Sequence, residues 1–355
     1  MTVLSGTNGN TALLTILNQM QVAQQRKSEL AVTDVRSEYQ TQINALDRES
    51  VRWEDVREGT EEARSLFSGT VGRLQSIRSS INSLISTVNK AEQESGAASD
   101  LSGYGIAFDS ILKSLNSTST QTGASVNLIS ETTASLTYTI GINGAQLTVG
   151  SVDSGSSYSI IDTDGKKWVP DFAAKILKRY DSYPSDPASE AGGFAGGLRL
   201  DSIAGSAIDF TVAPDTATPE AYSGTITKTG LAVVNSWYYD ELTSSDGRTR
   251  ALADLETALI GLDIEIKRME LARDLAGFNT NRAQTRIDGL DGESNDLLVE
   301  QAKAIQETQE RLQREFDITA TVLEGVVLQQ QEYAALLAPL INNDPFADSL
   351  FDVIA

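Results

Sequence analysis

Apolar residues recur in alternating steps of three and four over both ends of this chain. Leu13, Leu17 and Met20 share one face, and Val32, Val35, Tyr39, Ile43, Leu46, Trp53 and Val56 continue the spacing around a polar slot at Ser50. That period lines one stripe of an α-helix. Gly59, Gly69 and Gly72 are expected to interrupt or weaken it, since a glycine inside a helix costs about 1 kcal/mol relative to alanine. The stripe resumes at Leu74, Ile77, Ile81, Leu84 and Val88 and stops near Ser95-Gly96.

The last third mirrors the first. Leu252, Leu255, Leu259, Leu262, Ile266 and Met269 step by three and four without a miss. Such a narrow seam is what helices use to wrap each other. The pattern loosens through Leu275 and Phe278 to Ile287, and Asp288-Gly289 with Asp291-Gly292 predicts a turn between helices. A last helix is expected from about Asn295 to Ala338, with Leu312, Phe316, Thr319, Leu323, Val326, Gln330, Tyr333 and Leu337 as its stripe; Pro339 and Pro345 end it. Residues 1–10 read as flexible, and Phe346 to Ala355 as a mixed apolar and acidic tail.

The middle has a different period. Leu136, Tyr138, Ile140 and Ile142 alternate with Thr and Gly up to Asn143-Gly144, and Ala145, Leu147 and Val149 alternate after it. Two alternating runs around Asn-Gly predict a β-hairpin. Tyr158–Ile161, Ala207–Val212 and Ser223–Thr229 read as further strands, Ala173–Tyr180 as a short helix and Tyr183–Gly197 as an exposed loop.

The pattern as a whole predicts a mostly α chain with an inserted β-rich domain. N- and C-terminal helices would pack together as a coiled-coil-like rod, formed by a segment 1–98 and a segment 248–355, around a central mixed β domain at 99–247. Leu74, Ile77, Ile81, Leu84 and Val88 are expected to pack within the chain against Leu252, Leu255, Leu259, Leu262, Ile266 and Met269. The outermost stretches are expected to meet other subunits through Leu13, Leu17, Met20, Leu323, Val326, Tyr333 and Leu337. A self-contained bundle tends toward wider apolar faces. Polar Gln24, Gln42, Ser50 and Gln330, in or beside the seams, read either as surface slack or as register control.

Composition narrows the chemistry. With 28 basic and 49 acidic side chains, the net charge of −21 argues against a nucleic-acid surface and against a basic membrane-binding face. The chain has no His and no Cys. Disulfides, thiolate sites and imidazole bases are therefore absent, and no enzyme activity, cofactor or metal is expected. Asp162-Thr163-Asp164-Gly165 resembles the start of a Ca²⁺ loop, but Ala173 stands where a closing Glu is needed, so a turn is expected. Gly192 to Gly197 has no Lys-Ser/Thr after it and reads as a loop rather than a phosphate cradle. Trp237-Tyr238-Tyr239 is expected to pack where the insert rejoins the helices. Met1 to Gln25 holds no Lys or Arg, so a cleaved secretory signal is not expected, and no run reaches the length of a membrane span.

Two stretches carry a family resemblance. Ala107-Phe108-Asp109-Ser110-Ile111-Leu112-Lys113-Ser114-Leu115-Asn116, followed by Thr122-Gly123, is similar to the segment that leaves the first helical region of bacterial flagellins and hook–filament junction proteins. Ala251-Leu252-Ala253-Asp254-Leu255-Glu256-Thr257-Ala258-Leu259 resembles the start of their C-terminal helices. The family's usual N-terminal run is absent, and the region reads Arg26-Lys27-Ser28-Glu29-Leu30-Ala31-Val32. The resemblance implies a divergent flagellin-like subunit that assembles with itself into an extracellular filament. It also implies export through the flagellar type III apparatus with a secretion chaperone. A filament cap or hook–filament junction protein is the alternative inside the family. A secreted coiled-coil interaction protein, such as a needle-tip or adhesion factor, is the alternative outside it.

Overall fold

A computed structural model describes residues 7–94, 98–120, 127–129 and 134–342. The chain is mostly helical, with long terminal helices packing together and a central antiparallel β region. Helix α1 spans Thr7–Gln93, α2 spans Ala98–Thr120 and α3 spans Ser245–Asn342. The first residues of α1 overlap the stretch expected to be flexible, while residues 1–6 and the expected tail at 346–355 lie outside the described residues.

Neither α1 nor α3 breaks at the glycines. Gly59, Gly69, Gly72, Gly289 and Gly292 all lie inside continuous helix, where an added methyl group would meet nothing within 4 Å. The expected turn at 288–292 is therefore corrected to helix. Ile287 and Leu290 point inward on either side of Gly289 and keep the step of three. Burying each such side chain stabilises by about 1.5–3 kcal/mol, which outweighs the cost of the neighbouring glycine.

The chain divides into two compact units, Met1–Arg52 with Arg286–Ala355, and Trp53–Thr285. In the first, the N-terminal half of α1 lies antiparallel to the C-terminal half of α3. Glu49 pairs with Arg286 at 3.2 Å, Gln301 Nε2 donates to the Arg36 carbonyl at 3.2 Å, and Lys27 pairs with Glu315 at 2.8 Å. In the second, the rest of α1, α2 and the start of α3 form one core with the β region. That core holds Phe67, Leu74, Ile81, Phe108, Leu112, Trp168, Phe210, Trp237, Leu255 and Met269.

Strands β1 (Ser135–Thr139) and β2 (Gln146–Gly150) form the hairpin, in register Leu136 with Val149 and Tyr138 with Leu147. Its turn holds Gly144 at φ +79°. Gly144→Ala meets no steric neighbour, so only the left-handed backbone is penalised. A loss of about 1–2 kcal/mol is expected in urea unfolding.

Seven further strands make one antiparallel sheet: β3 Ser156–Asp162, β4 Lys167–Asp171, β5 Ile176–Tyr180, β6 Ala188–Gly193, β7 Leu198–Ala204, β8 Ala207–Val212 and β9 Glu220–Gly230, in the order β6-β5-β4-β3-β9-β8-β7. The residues expected as a helix at 173–180 end in strand β5, and the expected loop at 183–197 contains β6. β5 is held by pairing on both sides, to β4 and to β6, which overrides any local helical preference. β6 and β7 stand at opposite ends of the order yet are joined by only Phe194–Gly197. The sheet must therefore curl back on itself. The contact of Tyr222 on β9 with Glu190 on β6 crosses the resulting interior.

Candidate functional site

A polar network ties α2 to the segment that returns from the sheet to α3. Asp109, on the inward face of α2 beside Phe108 and Leu112, is 4% exposed. Its carboxylate accepts the Ser236 N–H at 2.8 Å, the Ser236 hydroxyl at 2.7 Å and the Asn235 amide at 3.1 Å. The Tyr158 hydroxyl donates to Asn235 at 3.2 Å and accepts the Trp237 indole N–H at 3.0 Å. Burial raises the pKa of Asp109, and the bonds from Ser236 and Asn235 with the nearby charge of Lys175 offset only part of that. Burial raises Tyr158 too, so it stays a neutral phenol.

Trp237, Tyr238 and Tyr239 fill the space around this network and are all buried. Trp237 packs 5.8 Å from Phe210, and Tyr239 lies edge-on to Phe108 at 5.8 Å. The Tyr239 hydroxyl and Lys228 Nζ both donate to Asp254 of α3 at 2.7 Å. Asp240, Glu241 and Leu242 then take three consecutive left-handed conformations, at φ +53°, +53° and +64°. Non-glycine residues adopt these at a cost. The turn is fixed by Ser244 and Arg250 on Asp240 and by Gly247, where a side chain would collide with the Tyr239 carbonyl.

At the far side of the sheet, Asp162 closes the turn that resembled a Ca²⁺ loop. Its Oδ1 accepts the backbone N–H of Asp164 at 3.0 Å and of Lys166 at 2.8 Å; its Oδ2 accepts the Trp168 indole at 3.0 Å and Arg179 Nε at 2.8 Å. Burial alone would raise its pKa, but Lys166 N–H, Arg179 and Trp168 together pull it below the usual value. With four donors in place the carboxylate serves the turn. Among the described residues, no group of three or more acidic side chains converges as a cation site. Nearby, Tyr222 donates to Glu220 at 2.7 Å and also touches Glu190. A hydroxyl has one proton, so the two carboxylates compete for it; burial, then the hydrogen bond with Glu220, raises the pKa of Glu190.

The long helices pair a buried seam with an exposed surface. Leu74, Ile77, Ile81, Leu84 and Val88 are fully buried, and Leu255, Leu262, Ile266 and Met269 nearly so; Leu252 and Leu259 pack half-buried against the same cluster. Arg73 caps the C-terminus of α2, donating to the carbonyls of Thr118 at 2.8 Å and Ser119 at 3.1 Å, and to Asn127 at 3.0 Å. Arg73→Met leaves those carbonyls unpaired. It is expected to cost about 1–3 kcal/mol and to speed amide exchange in the last turn of α2.

The seam of the terminal unit is thin. Ile43, Ile287, Leu290 and Leu312 are buried, while Leu17, Met20, Tyr39, Leu46, Phe316 and Leu323 are half-buried. The inward positions of α3 run Leu312, Phe316, Ala320, Leu323 and Val327 and drift off the expected stripe, whose Thr319, Val326, Gln330 and Tyr333 are exposed in the single chain. The drift arises because 3.6 residues per turn moves off a strict heptad. The side chains of Leu13 and Leu337 lie outside the described residues. Gln21, Gln24, Gln25, Gln309 and Gln313 line a groove of about 330 Å³ along this seam. Of the expected polar seam positions, Gln24 and Ser50 are half-buried and Gln42 is exposed. Leu14, Leu30, Ile318, Val322, Leu328, Tyr333 and Leu336 are 58–68% exposed. Among the described residues, no helix is long and apolar enough to cross a membrane.

No protein-family model and no curated protein matches the chain. Among solved structures, flagellar hook associated protein-3 from Legionella pneumophila is similar at 14% identity and a TM-score of 0.32, covering 76% of this chain and 99% of that one. The flagellar junction protein FlgL from Legionella pneumophila is similar at 11% identity, with the same TM-score and coverage. FlgL of Xanthomonas campestris is similar at 12% identity and a TM-score of 0.27, covering 67% of this chain and 91% of that one.

Proposed function

We propose that the chain is a structural, self-assembling subunit of an extracellular flagellar-type filament, joined to its copies through the terminal helices. The observation that carries this reading is the thin seam of the terminal unit. Two helices have one shared face, and here apolar side chains such as Leu14, Leu30, Ile318, Val322 and Leu336 stand outside it. Further helices covering them would bury about 1.5–3 kcal/mol per large side chain. The −21 charge opposes such association until salt or a growing end offsets it. The segments resembling flagellins and junction proteins, Ala107–Asn116 and Ala251–Leu259, support the same reading.

Electron microscopy of the concentrated chain in high salt tests it. Long uniform tubes are expected, and Ile318→Asp with Val322→Asp should abolish them while leaving circular dichroism unchanged. Short rings would instead favour a junction or cap subunit. A chain that stays monomeric under all conditions would contradict the proposal.

A further inference from the structure

The outward face of α3 in the second unit carries an apolar stripe. Ile260, Ile264, Leu271, Leu275 and Phe278 are 65, 63, 70, 40 and 61% exposed. Steps of four, seven, four and three put them on one helical face, opposite the buried Leu255, Leu262, Ile266 and Met269. Contiguous apolar surface of this kind marks an interaction site.

The charges beside the stripe indicate its occupant. Lys267 and Asp274 border it on the same flank, two turns apart, on either side of Leu271. In an antiparallel pair of helices related by a two-fold axis, residues on one flank stay on that flank. With the axis between Glu270 and Leu271, Lys267 of each copy faces Asp274 of the other. The same placement sets Ile264 beside the partner's Phe278 and brings the two Leu271 side chains together. Within one chain these charges are engaged only by neighbours, Lys267 with Glu270 at 2.7 Å and Asp274 with Arg273 at 2.8 Å, and such exposed pairs hold weakly. Covering both stripes buries roughly 1,000 Å² in total, the threshold for a specific pair.

We propose that the soluble chain pairs with a second copy through an antiparallel, self-complementary contact of this α3 face, centred on Leu271. A two-fold contact closes on itself and does not propagate. It therefore describes a form of the chain distinct from a filament, and it stands or falls separately from the assembly reading.

The chain contains no cysteine, so one introduced thiol reports the geometry. Facing Cα atoms of helices packed at usual distances lie about 4–5 Å apart at the axis, within disulfide reach. L271C in the full chain is expected to form a covalent dimer under mild oxidation. I260C lies about 30 Å from its own counterpart across the axis and should not. By sedimentation at low salt, Lys267→Asp should weaken the dimer at least tenfold, and adding Asp274→Lys should restore it, with circular dichroism unchanged throughout. The proposal is overturned if the parent chain sediments as a monomer at every concentration. It is also overturned if I260C crosslinks as readily as L271C, or if the double reversal fails to restore pairing.

Discussion

Asp162→Ala is expected to destabilise the unit Trp53–Thr285 by about 3–5 kcal/mol, because it leaves several buried donors without their acceptor and weakens a buried ion pair. The side chain of Asp162 is 1% exposed and that of Arg179 15% exposed. Its loss strands the Trp168 indole and two turn amides and takes one carboxylate from the Arg179 guanidinium, which keeps Asp164 at 2.8 Å and lies 4.9 Å from the Tyr222 ring. Asp162→Asn retains the shape but cannot accept from all four donors. The pH dependence has a definite sign. The folded-state pKa of Asp162 is lowered, so its stabilisation is present above the unfolded value of about 4 and is lost as pH falls through the folded value. Asp109 has the opposite sign: its raised folded-state pKa gives a contribution present at low pH and lost as pH rises through that value. Urea midpoints between pH 3 and 7 should show a shallower acid slope for Asp162→Asn than for the parent chain; equal slopes would remove Asp162 from the account.

Trp237→Ala is expected to cost about 3–5 kcal/mol, typical of deleting a buried indole. Trp237 is fully buried, touches the sheet through Phe210 and the Tyr158 hydroxyl, and packs edge-on against its chain neighbour Tyr238. Its deletion opens a cavity where the sheet meets α2 and leaves the Asn235–Tyr158 link without its indole donor. Trp237→Phe keeps most of the volume and loses the N–H, so it should cost clearly less. A similar loss for both would mean that the hydrogen bond, rather than the packing, holds this junction.

These effects concentrate where the sequence was hardest to read. The terminal helices were legible because Leu74 to Val88 and Leu252 to Met269 keep one period over many turns. The hairpin was legible because Asn143-Gly144 lies between alternating runs. Glycines misled at 288–292, where Ile287 and Leu290 hold the helix through packing that local propensity does not register. Ile176–Tyr180 misled because its strand character comes from partners on both sides. The Asp109 network joins residues 127 positions apart, as Ser236 shows; a lone acid on an apolar helix face, between Phe108 and Leu112, was the available signal. The one-residue drift along α3 from Thr319 onward hid which apolar residues face outward.

Hydrogen exchange on the soluble and the assembled chain tests the central claim most directly. The thin seam predicts fast exchange in the described parts of the terminal unit when the chain is soluble and marked protection there on assembly. Little change is expected in the core around Ile81 and Leu255, which is already buried within one chain. Equal protection of the terminal unit in both states would contradict a surface completed by other copies.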